Sequence, residues 1–295
     1  MWTFVATIVS TVFIYLLFPS FKRWGVQTAW AITVNHFVAA TLGWTLAGGG
    51  SAVSQALNST WILPLSVLGA LFYPLFQLTA RCSQEFGVSV ATIASKLSMA
   101  IPVLVLAFVD GMDGINWGQW VGMALAFPAV WLSASSGNDR EEDLPAAAPH
   151  QNLWWIPVTM FLGSGCIDLM FGWFSTDPSL DEPGMQMAFA SVPFTLGGIV
   201  GLFDQLRRGL GMPKRRDLLG GLTLGVTNFG SLYFLLLAFD SGMFERAMVV
   251  PLLNLSVIVL ATIGGIYLLK DIPNQKARWG VALATASIGL MMLLG

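Results

Sequence analysis

The sequence predicts an all-α integral membrane protein: ten transmembrane helices, arranged as two inverted-topology five-helix repeats around a central cavity. Three observations carry this expectation. The chain is apolar in long blocks, its cations alternate from loop to loop, and its second half repeats the pattern of its first.

Of the 295 residues, 55% are hydrophobic and 10% charged, against roughly 25% charged in a soluble domain. The apolar residues form blocks of about 18–22, the length that spans a hydrocarbon core of roughly 30 Å. Ten blocks are bounded by polar or Gly/Pro punctuation, at about 2–20, 27–47, 60–81, 88–109, 117–135, 153–174, 185–204, 217–239, 245–268 and 277–294. Continuous apolarity, as in Val249–Leu269, is helical in lipid, whereas a barrel strand alternates over about ten residues. The first block has Lys22 and Arg23 after it rather than before it, so it reads as a retained helix and not a cleaved leader. Trp61, Trp117, Trp120, Trp154, Trp155 and Trp279 fall at block ends, where an aromatic belt is expected. Stretches around Gly49, Gly50 and Ser51, and at Gly87, read as turns.

Lys and Arg set the orientation. Twelve of the 14 cations (Lys22, Arg23, Arg81, Arg140, Arg207, Arg208, Lys214, Arg215, Arg216, Lys270, Lys276 and Arg278) fall in alternate loops. The other loops hold Arg246 and are otherwise acidic, with Asp110, Asp113, Asp177, Asp181 and Glu182. The basic loops are expected to be cytoplasmic, which puts both termini outside.

Residues 88–104 (VSVATIASKLSMAIPVL) align with 244–260 (FERAMVVPLLNLSVIVL). Leu68-Gly69-Ala70 matches Leu224-Gly225-Val226, and the run from Trp120 to Ala126 matches that from Trp279 to Ala284. The matches keep order and near-constant spacing over about 70 residues. The expected organisation is a first repeat at 1–135, a polar cytoplasmic linker at 136–152 and a second repeat at 153–295. With five helices each, equivalent helices cross in opposite directions, as the opposite phase of the basic loops requires. Inverted repeats are a transporter architecture with the site near the midplane.

Each half closes on an apolar helix with a small or polar residue and a proline, a short charged turn, and a Gly-bearing last helix. The first half has Ser98 and Pro102, then Trp120-Val121-Gly122; the second has Pro251 and Asn254, then Lys270-Asp271 and Trp279-Gly280. With five plus five helices over most of the chain, this resembles the drug/metabolite transporter superfamily, in particular its EamA-type members. Members often carry Gly-Glu in that turn and cytoplasmic termini; this chain has Asp110-Gly111 and Lys270-Asp271, and the opposite charge bias. The resemblance implies a multi-pass permease of the cell membrane. It would move metabolites, amino acids or amphiphilic compounds by alternating access, with export the expected direction.

Ionisable groups within a span are costly and normally face a cavity or a partner. Lys96 lies about eight residues into the fourth block, between Ser95 and Ser98. It is a candidate to bind an anionic group or to titrate during transport; pairing to a structural carboxylate is the alternative. Asp168, in the small-residue stretch Gly163 to Leu169, is the second candidate. The two differ in expected depth by roughly 10 Å at ~1.5 Å per residue, so bridging by water or substrate is expected rather than contact. Asn35 and His36 share the second block, and His36 is a candidate proton shuttle or a packing residue. Tyr73 and Gln77, four apart, share a helix face; Ser98, Asn228 and Asn254 are mid-span polar groups that line the cavity or bond between helices.

The small balance of charge, −2, gives no footprint for nucleic acid. Cys82 and Cys166 stand apart from any Cys-x-x-Cys or Cys/His cluster, so no metal or cofactor is expected and both read as packing residues. No Walker-type motif is present, so transport would run on a gradient, with a proton or ion as coupling partner, in a monomer or homodimer. An intramembrane enzyme needs a clustered nucleophile, base or metal set, which two histidines do not supply. A structural or receptor subunit is the other alternative.

Overall fold

The computed structural model describes residues 1–110, 117–135, 153–174, 176–182, 184–241 and 246–293. The expected linker at 136–152 lies outside the described residues, as do Gly111, Asp113, Arg140 and the Arg246 side chain. Every regular element among the described residues is helical: α1 (Trp2–Trp24), α2 (Thr28–Ala47), α3 (Gly50–Leu57), α4 (Ile62–Glu85), α5 (Val88–Lys96), α6 (Ala100–Asp110), α7 (Trp117–Ala134), α8 (Trp155–Phe174), α9 (Met185–Arg207), α10 (Arg215–Asp240), α11 (Arg246–Leu269) and α12 (Gln275–Leu293). Short 3-10 turns occupy Leu97–Met99 and Pro178–Asp181.

Seven described stretches are long and apolar enough to cross a bilayer: Trp2–Trp24, Ile62–Glu85, Val88–Val105, Trp155–Phe174, Met185–Arg207, Arg215–Phe239 and Val249–Leu269. The protein is an all-α, multi-pass membrane protein. The helices α2, α7 and α12 have 20, 18 and 19 residues. Asn35 and His36 in α2, Gln119 in α7, and Gln275, Lys276 and Arg278 in α12 dilute their apolarity.

Two elements differ from the sequence expectation. The Gly48–Gly49 pair, at φ 108° and 67°, ends α2, but Gly50 and Ser51 then open the short helix α3 instead of continuing the turn. Ala52 and Ala56, four residues apart, bury its one apolar face. The fourth block is not one helix: it breaks into α5, the 3-10 turn and α6. Pro102 has no N–H to offer the Ser98 carbonyl and its ring crowds that position, so the helix tightens there.

The chain forms two compact units, each drawing segments from both halves of the sequence. The first comprises Met1–Ser20, Leu78–Leu169 and Tyr233–Gly295. In it α7 and α12 pack antiparallel: Gly122 lies against Ser287 and Met291, and Gly280 against Ser133 and Ala129. The Ser287 hydroxyl donates to the Gly122 carbonyl at 2.6 Å. The α5–α11 pair is also antiparallel, with Val88 beside Gly265 and Lys96 beside Asn254. An Asp271 carboxylate oxygen accepts from the Val88 N–H at 2.8 Å and caps α5. Gly87, at φ 99°, gives that carboxylate room: a Cβ there would meet its oxygen at 2.4 Å. Pro19 frees the Tyr15 carbonyl in α1, and the Ser83 hydroxyl donates to it at 3.2 Å. Cys82 is fully buried, as expected of a packing residue, but Cys166 is exposed.

The second unit comprises Phe21–Gln77 and Met170–Leu232. Its α2–α9 pair is antiparallel, with Ala47 at Gly184, Gly43 at Ser191, His36 at Gly197 and Thr33 at Gly201. Glycine at these contacts lets the backbones close in. Parallel contacts join α10 to α2, through Gly221 at Val34 and Gly225 at Val38, and α4 to α9, through Gly69 at Leu196. Buried Asp217 accepts from the Gln27 N–H at 2.7 Å and the Lys214 N–H at 2.8 Å, tying together the starts of α2 and α10. The basic segments after α1 and α9 therefore share one end of this unit, with Arg216 against Gly25. Trp61 is not a belt residue: it is buried, donates to the Ser179 hydroxyl at 3.0 Å and packs on Phe189, because the loop before α9 folds over it. Trp117, Trp155 and Trp279 are exposed at helix ends, as expected.

Gly122→Ala should destabilise the protein by about 1–3 kcal/mol, because a Cβ there would sit 2.6 Å from the Ser287 carbonyl oxygen. Gly172→Ala meets nothing within 4 Å and serves as the control. Thermal unfolding in detergent should give a lower midpoint for the first variant only.

The loop carboxylate Asp177 accepts from the Thr60 hydroxyl at 2.6 Å, the Ser179 hydroxyl at 2.7 Å and the Ser179 N–H at 2.9 Å. These bonds, Thr60's foremost, hold its pKa below the usual carboxylate value of about 3.9. A depressed folded value means the contribution is present above about pH 4 and disappears as the pH falls through the folded value. Asp177→Asn should lower the unfolding midpoint at pH 7, and the difference from the parent chain should shrink below about pH 4; a pH-independent difference would show that charge plays no part.

Candidate functional site

The break in the fourth block exposes backbone polar groups in the middle of an apolar run, and the first unit gathers side chains around it. The Ser98 hydroxyl donates to the Ser95 carbonyl. The Asn254 amide of α11 donates to the Lys96 carbonyl at 3.2 Å and also approaches the Met99 sulfur at 3.1 Å. Ser98 also reaches across to α8, 3.0 Å from an Asp168 carboxylate oxygen. The Tyr15 phenol of α1 lies beside the Ser95 side chain. Four helical segments thus converge on one turn.

Two opposite charges belong to this cluster. The Lys96 ammonium and the Asp168 carboxylate act on one another electrostatically. Among the described residues, however, no carboxylate lies within the 4.0 Å of an ion pair from Lys96. Asp168 is exposed, Ser95 and Lys96 are half-buried, and Ser98, Tyr15 and Asn254 are buried. Ser98 is the side chain beside the carboxylate, 3.0 Å from one of its oxygens. Of the candidate residues, the structure brings Lys96, Ser98, Asp168 and Asn254 together.

The others lie in the second unit. The Asn35 and Asn228 amides meet at 3.1 Å and join α2 to α10. His36 is fully buried among the rings of Phe72, Tyr73, Phe76 and Phe194, with Gly197 closing the space beside it. Its Nδ1 lies 2.7 Å from the Ile32 carbonyl. A carbonyl only accepts, so Nδ1 carries the proton there. Nε2 has no hydrogen-bond partner among the described residues. Tyr73 donates to Asp204 at 2.9 Å and accepts from the Gln205 amide at 2.6 Å; Gln77 sits against the same hydroxyl. Thr33 accepts from Gln205 at 3.3 Å, and Arg208 pairs with Asp204 at 2.9 Å.

Sequence reasoning missed Tyr15, Asp204 and Gln205. Pro19, four residues after Tyr15, was a usable signal for a polar environment there, since a freed carbonyl needs a donor. Gln205 looked like a span end but is 1% exposed. Among the described residues, no group of three or more His, Cys, Asp or Glu side chains is placed to hold a metal ion.

No family model matches this chain. An uncharacterized protein of Haemophilus influenzae is 24% identical over 237 residues, 80% of this chain and 76% of the relative. A solved structure described as "Crystal structure of protein" superposes with a TM-score of 0.58 at 16% identity, covering 98% of this chain and 99% of that one. The chain is thus similar to that protein in fold.

Proposed function

We propose that this protein is a secondary active transporter of small organic molecules in the cell membrane, of the EamA type of the drug/metabolite transporter superfamily. In this reading α2, α7 and α12 also span, giving ten transmembrane segments in two inverted five-helix repeats, with the basic loops cytoplasmic and both termini outside. The pairing of helices supports the repeat. By order in the two halves, α2 corresponds to α9, the α5–α6 segment to α11, and α7 to α12. Each of these packs on its own counterpart, and each pair is antiparallel. A two-fold axis in the membrane plane produces that arrangement.

The observation that carries transport is the interrupted helix at Leu97–Met99, with Lys96 and Asp168 beside it. Non-helical backbone at membrane depth is tolerated where it is buried in protein or lines a cavity, and discontinuous helices hold substrates in many transporters. Lys96, Asp168, Ser98 and Asn254 form the binding or coupling site in this reading. The tight aromatic surround of His36 favours packing over proton shuttling.

Purified protein in proteoliposomes should take up or exchange at least one component of a pooled metabolite mixture. Lys96→Ala should cut that flux on the order of tenfold or more while the protein stays folded, since the charge opposite Asp168 is lost. Lys96→Arg keeps charge but releases its proton less readily, so retained flux with altered pH dependence would mark a titrating role. Wild-type flux and pH dependence in Lys96→Ala would show the lysine to be structural; no flux of any component in the parent protein would remove the transport reading.

A further inference from the structure

We infer that the basic end of the second unit is a docking surface for anionic phospholipid. The headgroup phosphate settles on the cations that flank the α1–α2 and α9–α10 turns, and the acyl chains lie along the apolar faces just inside them. The inference does not depend on the transport reading.

Residues 22–27 and 204–217 hold seven of the 14 cations and two carboxylates, Asp204 and Asp217. Hydrogen bonds gather these segments at one end: Asp217 accepts from the Gln27 N–H, before α2, and from the Lys214 N–H, before α10. Gly25, at φ 61°, turns the chain between α1 and α2, and the Arg216 guanidinium occupies the space beside it. A Cβ at Gly25 would lie 2.8 Å from one of its nitrogens. Arg216 is thereby brought to the turn that follows Lys22 and Arg23. Both carboxylates are already engaged: Asp217 is buried on the two N–H groups, and Asp204 is held by Tyr73 and Arg208. Lys22, Arg23, Arg207, Lys214, Arg215 and Arg216 are all exposed. Like charges crowded at one end repel one another, and an anion among them relieves that repulsion.

The surface next to the cations selects lipid over a soluble anion. The last turn of α9 exposes Phe203 (67%) and Leu206 (70%), the start of α10 exposes Leu218 and Leu219, and Trp24 is exposed at the end of α1. Cations at helix ends beside exposed hydrocarbon and an interfacial tryptophan match a molecule with a phosphate at one end and acyl chains at the other. A free phosphate would use the cations and leave the apolar faces uncovered.

The test follows thermal unfolding of the full-length protein in neutral detergent with phosphatidylglycerol, phosphatidylcholine or inorganic phosphate added. Phosphatidylglycerol should stabilise at concentrations about 10- to 100-fold lower than phosphatidylcholine or inorganic phosphate. Removing three cations of the cluster (Lys22→Gln, Arg215→Gln and Arg216→Gln) should abolish that preference. Removing three from the first unit (Arg81→Gln, Lys270→Gln and Lys276→Gln) should preserve it, which separates this surface from the general attraction of cations to anionic lipid. Gly25→Asp keeps every cation and sets a carboxylate against Arg216; it should weaken the preference about fivefold, and it carries the test if the cluster variant does not fold. Equal response to the two lipids, equal response to inorganic phosphate, or the same loss in both triple variants would overturn the inference. So would the parental preference in a folded cluster variant or in Gly25→Asp.

Discussion

Hydrocarbon offers no hydrogen bonds, so each carbonyl that a helix releases must find a donor within the protein. That constraint organises the centre of the first unit. Pro102 interrupts the fourth block, and at the resulting turn the Ser98 hydroxyl donates to the Ser95 carbonyl and the Asn254 amide of α11 to the Lys96 carbonyl. Pro19 acts similarly in α1, where Ser83 meets the Tyr15 carbonyl. Prolines that would break an isolated helix here create fixed polar positions, and the charged side chains cluster at one of them. Lys96 and Asp168 stand where backbone and side-chain polarity are already concentrated.

Within each unit, small residues let paired helices pack closely. In the α7–α12 and α2–α9 pairs, glycine stands opposite serine or backbone carbonyl, near enough that the first carbon of any side chain would collide. Between hydrocarbon-soaked helices there is no hydrophobic drive to associate, so contact area and interhelical hydrogen bonds must hold them. Ser287 on Gly122 and Trp44 on Thr195 are bonds of this kind. Asp217 and Asp271 add a second device at helix starts, where buried or capping carboxylates take up N–H groups that the helices leave free.

The all-α membrane class was legible because it depends on composition over some twenty residues at a time, and the bilayer sets that length. Lys96 and Asp168 were legible as exceptions within apolar blocks. What was not legible depends on partners distant in sequence. The break at Leu97–Met99 is stable because Asn254, 158 residues away, meets the Lys96 carbonyl. Tyr15 is one of 4 tyrosines among 20 phenylalanines in an aromatic-rich chain, and nothing local separates it from a packing residue. Trp61 has belt composition at a span end, yet Ser179 takes its N–H and buries it. Helix α3, with 8 residues, is too short for a span-length window to register.

The central claim is that the turn at the helix break faces water inside the membrane. It is tested most directly by placing a thiol at Ser95, which is half-buried beside Lys96, after replacing Cys82 and Cys166 with serine. A charged, membrane-impermeant thiol reagent applied to protein in liposomes should modify the Ser95→Cys chain and leave a Phe127→Cys chain, exposed on α7, unmodified. Absence of reaction at position 95, or equal reaction at both positions, would contradict the account.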